Sequence, residues 1–220
     1  MKCAGLAAAA LVLIGAVNPA RADIVFSNLG ASPALSTRHG FGLSSVELIA
    51  MPFTVAAGSG FDLTRIDIGI THSSFEAGSV NAAVVQLRTN VTGLPGSVVD
   101  SWILSALPEV NTPALEPSQQ ITGIVGDRLD GGAQYWLVAS GLSDWMVWAF
   151  PSSEVAGPFA FSRDVGASWV LSQGISQGGF DVQGTPVPVA QVPEPTSLAL
   201  LALGLAALAS NRRRPAKTRA

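Results

Sequence analysis

The chain has 220 residues, 48% of them apolar and only 12% charged, with a formal net charge of −3. That length fits one domain or two small ones, the apolar content excludes a disordered chain, and the lack of excess basic charge speaks against a nucleic-acid binder. The single cysteine, Cys3, excludes a disulfide framework and a cysteine metal site.

Residues 1–22 open with Met1-Lys2, continue as an apolar run from Cys3 to Val17, and close on Asn18-Pro19-Ala20-Arg21-Ala22. A positive start, a short apolar stretch and small residues at an A-x-A site make a secretory signal peptide. Ala20 and Ala22 form the expected cleavage site, which leaves Asp23 as the first mature residue. The apolar run is too short for a comfortable membrane span. A lipoprotein signal would place its cysteine at the end of that run, whereas Cys3 stands at its start and leaves with the signal.

The next stretch, 23–184, reads as one exported domain, followed by a stiff, extended Pro-rich linker over 185–191. Between residues 23 and 191 fourteen acidic residues face five arginines and no lysine, a balance of −9. Such a surface repels nucleic acid and anionic membranes and favours solubility outside the cell. The local pattern is β. Ile66, Ile68 and Ile70 alternate with Asp67 and Gly69, and Val85 and Leu87 alternate with Gln86 and Arg88. The runs Val98–Leu104, Gln134–Ala139 and Trp145–Phe150 are further short segments rich in β-branched and aromatic residues. Gly58-Ser59-Gly60, Gly93-Leu94-Pro95-Gly96, Asp130-Gly131-Gly132 and Gln177-Gly178-Gly179 mark turns between them. No stretch carries a helical stripe. The pattern predicts an all-β fold, an antiparallel jelly-roll-like β-sandwich of about eight to ten strands.

Few residues in this domain suggest chemistry. His39 falls in an expected loop and His72 at an expected strand end near Ser73, Ser74 and Glu76. A Ser/His/acid triad is seldom built from such close neighbours, and no nucleophile elbow accompanies them. Two histidines without cysteine make a poor zinc site. A glycosidase needs two acids at a set separation, which a sequence does not supply. Asp127-Arg128-Leu129-Asp130-Gly131-Gly132 loosely suggests a calcium loop but lacks alternating ligand spacing, and a plain turn is the better reading. The expectation is therefore no enzyme, no metal and no cofactor. The aromatics are a better lead, since indole rings exposed on a sandwich stack on sugar rings. Trp136, Trp145 and Trp148 are the candidates. Tyr135 and Trp136 must point to opposite faces of a strand, as must Trp145 and Trp148, so some of these rings are expected to face outward.

Residues 192–220 form the last segment. Pro193-Glu194-Pro195 keeps the chain extended, and Thr196 or Ser197 can cap the helix that follows. Leu198, Leu200, Leu201, Leu203, Leu205 and Leu208 make that helix apolar on every face, so it calls for lipid or a deep core. Residues 197–210 at about 1.5 Å each reach about 21 Å, short of a hydrocarbon core of about 30 Å, and snorkelling with local thinning covers part of the gap. Arg212, Arg213 and Arg214 should stay cytoplasmic, which puts the body outside. The string VPEPTSLALLALGLAALASNRRRPA resembles the PEP-CTERM sorting signal in all three of its parts, in order. That resemblance implies recognition by an exosortase-type processing enzyme in the membrane of a Gram-negative bacterium. It also implies delivery to the cell surface or extracellular matrix, with exopolysaccharide as a candidate partner. An ordinary single-span anchor is the alternative and differs only in whether the tail is removed. The body, through Met51-Pro52-Phe53-Thr54, Leu63–Ile70, Gln86–Thr89 with Gly93–Gly96, and Tyr135–Leu137, resembles the choice-of-anchor domains of the "R" variety. This second resemblance implies architecture and surface location and transfers no catalytic residue. The expected function is that of a non-enzymatic, tethered surface protein. A carbohydrate-binding module is the first alternative and a secreted hydrolase the second.

Overall fold

A computed structural model of the chain describes residues 22–29, 35–72, 80–109, 119–142, 146–153, 155–188 and 205. The elements within them are all strands: β1 (Asp23–Ser27), β2 (Leu35–Leu43), β3 (Leu48–Thr54), β4 (Phe61–Ile68), β5 (Ile70–His72), β6 (Ala82–Val91), β7 (Leu94–Ser105), β8 (Gln119–Thr122), β9 (Arg128–Leu129), β10 (Gln134–Gly141), β11 (Met146–Pro151), β12 (Ala156–Ser162), β13 (Val170–Ser176) and β14 (Phe180–Pro186). They form a five-stranded sheet in the order β1-β14-β4-β8 with β9 also on β4, a six-stranded sheet β13-β12-β3-β10-β6-β7, and a three-stranded sheet β2-β11-β5. Every strand pairing in the three sheets is antiparallel. The strand count exceeds the expected eight to ten because long runs are broken. The Ile66–Ile70 alternation is one such run, shared between β4 and β5 on either side of Gly69. There the chain leaves one sheet for another, and Gly69 bonds through its N–H to Gly179 and through its carbonyl to Ala149.

The main core lies where inward residues of the three sheets meet. The five-stranded sheet gives Leu63, Ile66, Ile68, Phe180 and Val182; the six-stranded sheet gives Met51, Phe53, Val85, Leu87, Tyr135 and Leu137; the three-stranded sheet gives Leu43, Ile70, Met146 and Trp148. Rings knit these together, with Phe26 5.0 Å from Phe180, Phe53 5.9 Å from Tyr135, and Trp148 edge-on to Phe180 at 6.0 Å. Each fully buried Phe or Met here contributes about 1.5–3 kcal/mol of transfer free energy. Asn28 clamps the end of β1 to β14: its Nδ2 donates to the Gly178 carbonyl at 2.8 Å and its Oδ1 accepts from Phe180 N at 2.8 Å.

Two turn expectations shift. The β6–β7 hairpin turns on Thr92 and Gly93 alone, both with positive φ (52° and 82°), as a tight two-residue connection requires, and Leu94–Gly96 already belong to β7. Gln177–Gly179 is a packing site as well as a connection, because a Cβ on Gly178 would stand 2.6 Å from the Trp148 indole. Strand β10 is buried along nearly its whole length, since it is central in its sheet and both of its faces are covered. His39 lies within β2, not in a loop.

Candidate functional site

The sugar-stacking expectation is corrected by burial. Trp148 is 0% exposed, and its Nε1 donates to the Gly179 carbonyl at 3.1 Å inside the core. Trp136 is 1% exposed. It does face away from the main core, as alternation demands, but that outer face of the six-stranded sheet has an apolar cluster of its own. Leu48, Ala50, Trp136, Val138 and Ala160 pack there under Leu94 and Trp169. Neither ring offers a face to a sugar. Trp145 lies outside the described residues.

Beside that cluster the same face carries a row of polar side chains. Alternation along β6 sends Val85 and Leu87 into the main core and Gln86, Arg88 and Asn90 outward, and Arg88 stands opposite Trp136 of β10. The Gln86 Oε1 accepts from Arg88 Nε at 2.9 Å and Nη2 at 2.8 Å. Arg88 Nη1 reaches the Gly96 carbonyl only at 3.5 Å. The guanidinium carbon lies 5.5 Å from the centre of the half-buried Trp169 ring. Asn90 Oδ1 accepts from Trp136 Nε1 at 2.9 Å. Burial pushes the Arg88 pKa down from its ordinary value. Arg65, Arg128 and Arg163 each meet a carboxylate, of Asp67, Asp130 and Glu47 respectively; Arg88 meets none among the described residues.

The acids gather elsewhere. The six-stranded sheet has one carboxylate in its strands, Asp100, whereas the five-stranded sheet has Asp23, Asp62, Asp67 and Asp181. Asp67 is buried and paired with Arg65 at 2.8 Å and with Gln183 Nε2 at 3.2 Å. Across the register from it, Asp181 is pushed up by burial, against a hydrogen bond from Ser27. Asp127 is pushed up to about 6, first by burial and then by the hydrogen bond and charge of Asp100. Its Oδ2 is buried and meets no donor, so the Asp100 carboxyl can serve as its partner only when one of the two holds a proton. In the loop after β12, Ser168 and Ser162 hold Asp164 down at about 2.

The calcium-loop suggestion at 127–132 does not converge: Asp127 turns to Asp100, while Asp130 is exposed and 3.8 Å from Arg128. Among the described residues no group of three or more His, Asp or Glu could hold a metal. His72 ends β5, buried, with its N–H on the Pro108 carbonyl, and Ser73, Ser74 and Glu76 lie outside the described residues. Sequence reasoning singled out none of Asp100, Arg88 or Asn90 as functional. The outward alternation of Gln86 and Arg88 in a chain segment with five basic residues was the available signal.

The signal segment through Ala20, and Pro193, Glu194, Pro195, the leucine helix apart from Leu205, and Arg212–Arg214, also lie outside the described residues. Among the described residues no helix is long and apolar enough to cross a membrane. A family model described as the PEP-CTERM protein-sorting motif matches residues 191–214, a span that contains the Pro-Glu-Pro, the Leu/Ala run and the arginine triplet. No curated protein matches the chain.

Proposed function

We propose, from the PEP-CTERM motif at 191–214, that this chain is an exported exosortase substrate and a non-enzymatic, tethered β-sandwich protein of the cell surface or exopolysaccharide matrix. The observation that carries the reading is the motif at 191–214 standing after the strand-built unit that ends at Pro186. A signal peptide with cleavage after Ala22 starts export. The leucine segment holds the chain in the inner membrane with Arg212–Arg214 on the cytoplasmic side, and the exosortase acts near Pro193-Glu194-Pro195. The body is read as jelly-roll-like, with two larger sheets enclosing the core. The charge of the exported part, −9 over 23–191, suits a protein that must stay soluble near anionic surfaces.

The test is the intact mass of the protein from membrane and medium fractions, in a bacterium that has an exosortase. Loss of residues 1–22 and of a tail cut near the motif is expected. Replacing Pro193, Glu194 and Pro195 together by alanine should leave the tail in place and the protein in the membrane fraction. Uncut protein at full mass in the cytosol would overturn the reading.

A further inference from the structure

We propose that the outer face of the six-stranded sheet, at Arg88 with Gln86 and Asn90, binds the carboxylate and neighbouring hydroxyls of a uronic-acid unit in an anionic glycan. The argument starts from hydrogen-bond supply. Gln86 spends its one acceptor oxygen on Arg88, and Asn90 spends its own on Trp136. Both partners are donors only, which fixes the amides with Gln86 Nε2 and Asn90 Nδ2 turned the other way. Arg88 uses Nε and one Nη2 hydrogen on Gln86 and a long contact on Gly96. What remains in this row is the Nη1/Nη2 edge of a guanidinium and two amide NH2 groups, with no acceptor among the described residues.

A planar, two-pronged donor edge is the complement of a carboxylate. Flanking amide donors complement hydroxyl oxygens, so the set fits a sugar acid better than a bare ion. The face is also prepared electrostatically. Its strands carry one carboxylate, Asp100, which stands across the register from the inward Leu87 and so belongs to the opposite face from Arg88. Asp164, in the loop beside Arg88, keeps its charge but is turned away onto the Ser162 and Ser168 hydroxyls. Space beside the guanidinium edge is kept open by Gly166, where a Cβ would lie 3.3 Å from Nη2 and 3.5 Å from Nη1. Gln86 and the Trp169 ring hold the guanidinium in place before a ligand arrives. Binding of this kind needs an extracellular body to have biological meaning. It is nonetheless read on purified protein, so it stands or falls apart from the fate of the tail.

Full-length protein in mild detergent is run through gels cast with alginate, a polyuronate, or with neutral dextran. Retardation by alginate and not by dextran is expected. Arg88→Met should weaken it on the order of tenfold, while Arg88→Lys, which keeps the charge and loses the fork, should lie between. Because Arg88→Met could disturb packing under Trp169, the wild-type protein is also titrated with trigalacturonate. Its Arg88 Nε–H resonance, assigned by its loss in Arg88→Lys, should shift. No alginate retardation of the wild type, equal retardation by dextran, full retention in a folded Arg88→Met variant, or an unmoved Arg88 resonance would each overturn the proposal.

Discussion

Asp127 keeps its proton to about pH 6 in the folded protein, against an ordinary value of 3.8. Below about pH 4 both the folded and unfolded chains are protonated there, and the pair carries no penalty. Between about 4 and 6 the folded state binds more protons, so stability falls as pH rises, and above 6 the loss is complete. The site is partly open to water, and screening cuts the effect to about 1 kcal/mol. Asp127→Asn keeps a donor for Asp100 and removes the second charge. It should raise Tm by about 2–4 °C at pH 7.5 and leave it unchanged at pH 3.5. Thermal unfolding followed by circular dichroism at several pH values checks this, and an unaltered pH slope would remove the pair from the account. The residues of greatest chemical interest were the hardest to read in the sequence. Alternation correctly sent Trp136 and Tyr135 to opposite faces, but alternation is silent on whether a face is covered. Leu94 and Trp169, which cover Trp136, are distant in sequence from it. Arg88 was visible as an outward residue, yet its want of a carboxylate is a fact of three dimensions.

Strand β13 closes one side of the six-stranded sheet, with Val170, Leu171 and Ile175 all exposed and no charge along its length. Apolar edges of this kind invite pairing with other chains. The strand's defences are its short length and a bulge near Gly174, where φ is +90° and the register with β12 slips. Strand β7 at the opposite side is guarded by register shifts against β6. Placing a charge at the weakest point, Leu171→Lys, should lower light scattering during refolding at high concentration, with Tm within about 1–2 °C of the parent. Equal scattering would show that this edge is not where copies meet. At this scale the sequence was informative about element type. The runs at 85–88, 98–104 and 134–139 fall in strands, as do the described residues 146–150 of the run 145–150, because β-branched and aromatic residues at short spacing have few other uses. It was poor on breaks and turns. A two-residue turn at Thr92-Gly93 and a change of sheet at Gly69 depend on which partners arrive from afar.

Seen as a whole, the molecule divides its acids unevenly between its sheets, and it divides its chain into a unit ending at Pro186 and a unit from Val187 onward. Stopping the chain after Pro186 while keeping residues 1–22 should release a folded body into the soluble exported fraction, periplasm and medium together, and leave none in the membrane fraction. Immunoblots of the fractions, with the Tm of the released protein as a folding control, read the result, and membrane retention of the shortened chain would point to a second attachment. The tail was the most legible part of the sequence, since a Pro-Glu-Pro, an apolar run and an arginine triplet are linear signals that need no fold to be recognised. The pairing of β1 with β14 has one more consequence. Asp23 lies against Gly184, so the opening strand of the body finds its neighbour only in the closing one. A secretion channel that threads the polypeptide from its front delivers these two strands furthest apart in time. The five-stranded sheet must stand unfinished until the rear of the body has passed through, and the β6–β7 hairpin, whose strands are adjacent in sequence, is free to form well before. Late closure of this kind keeps the chain loose enough to be threaded and postpones its locked form to the moment it is wholly outside.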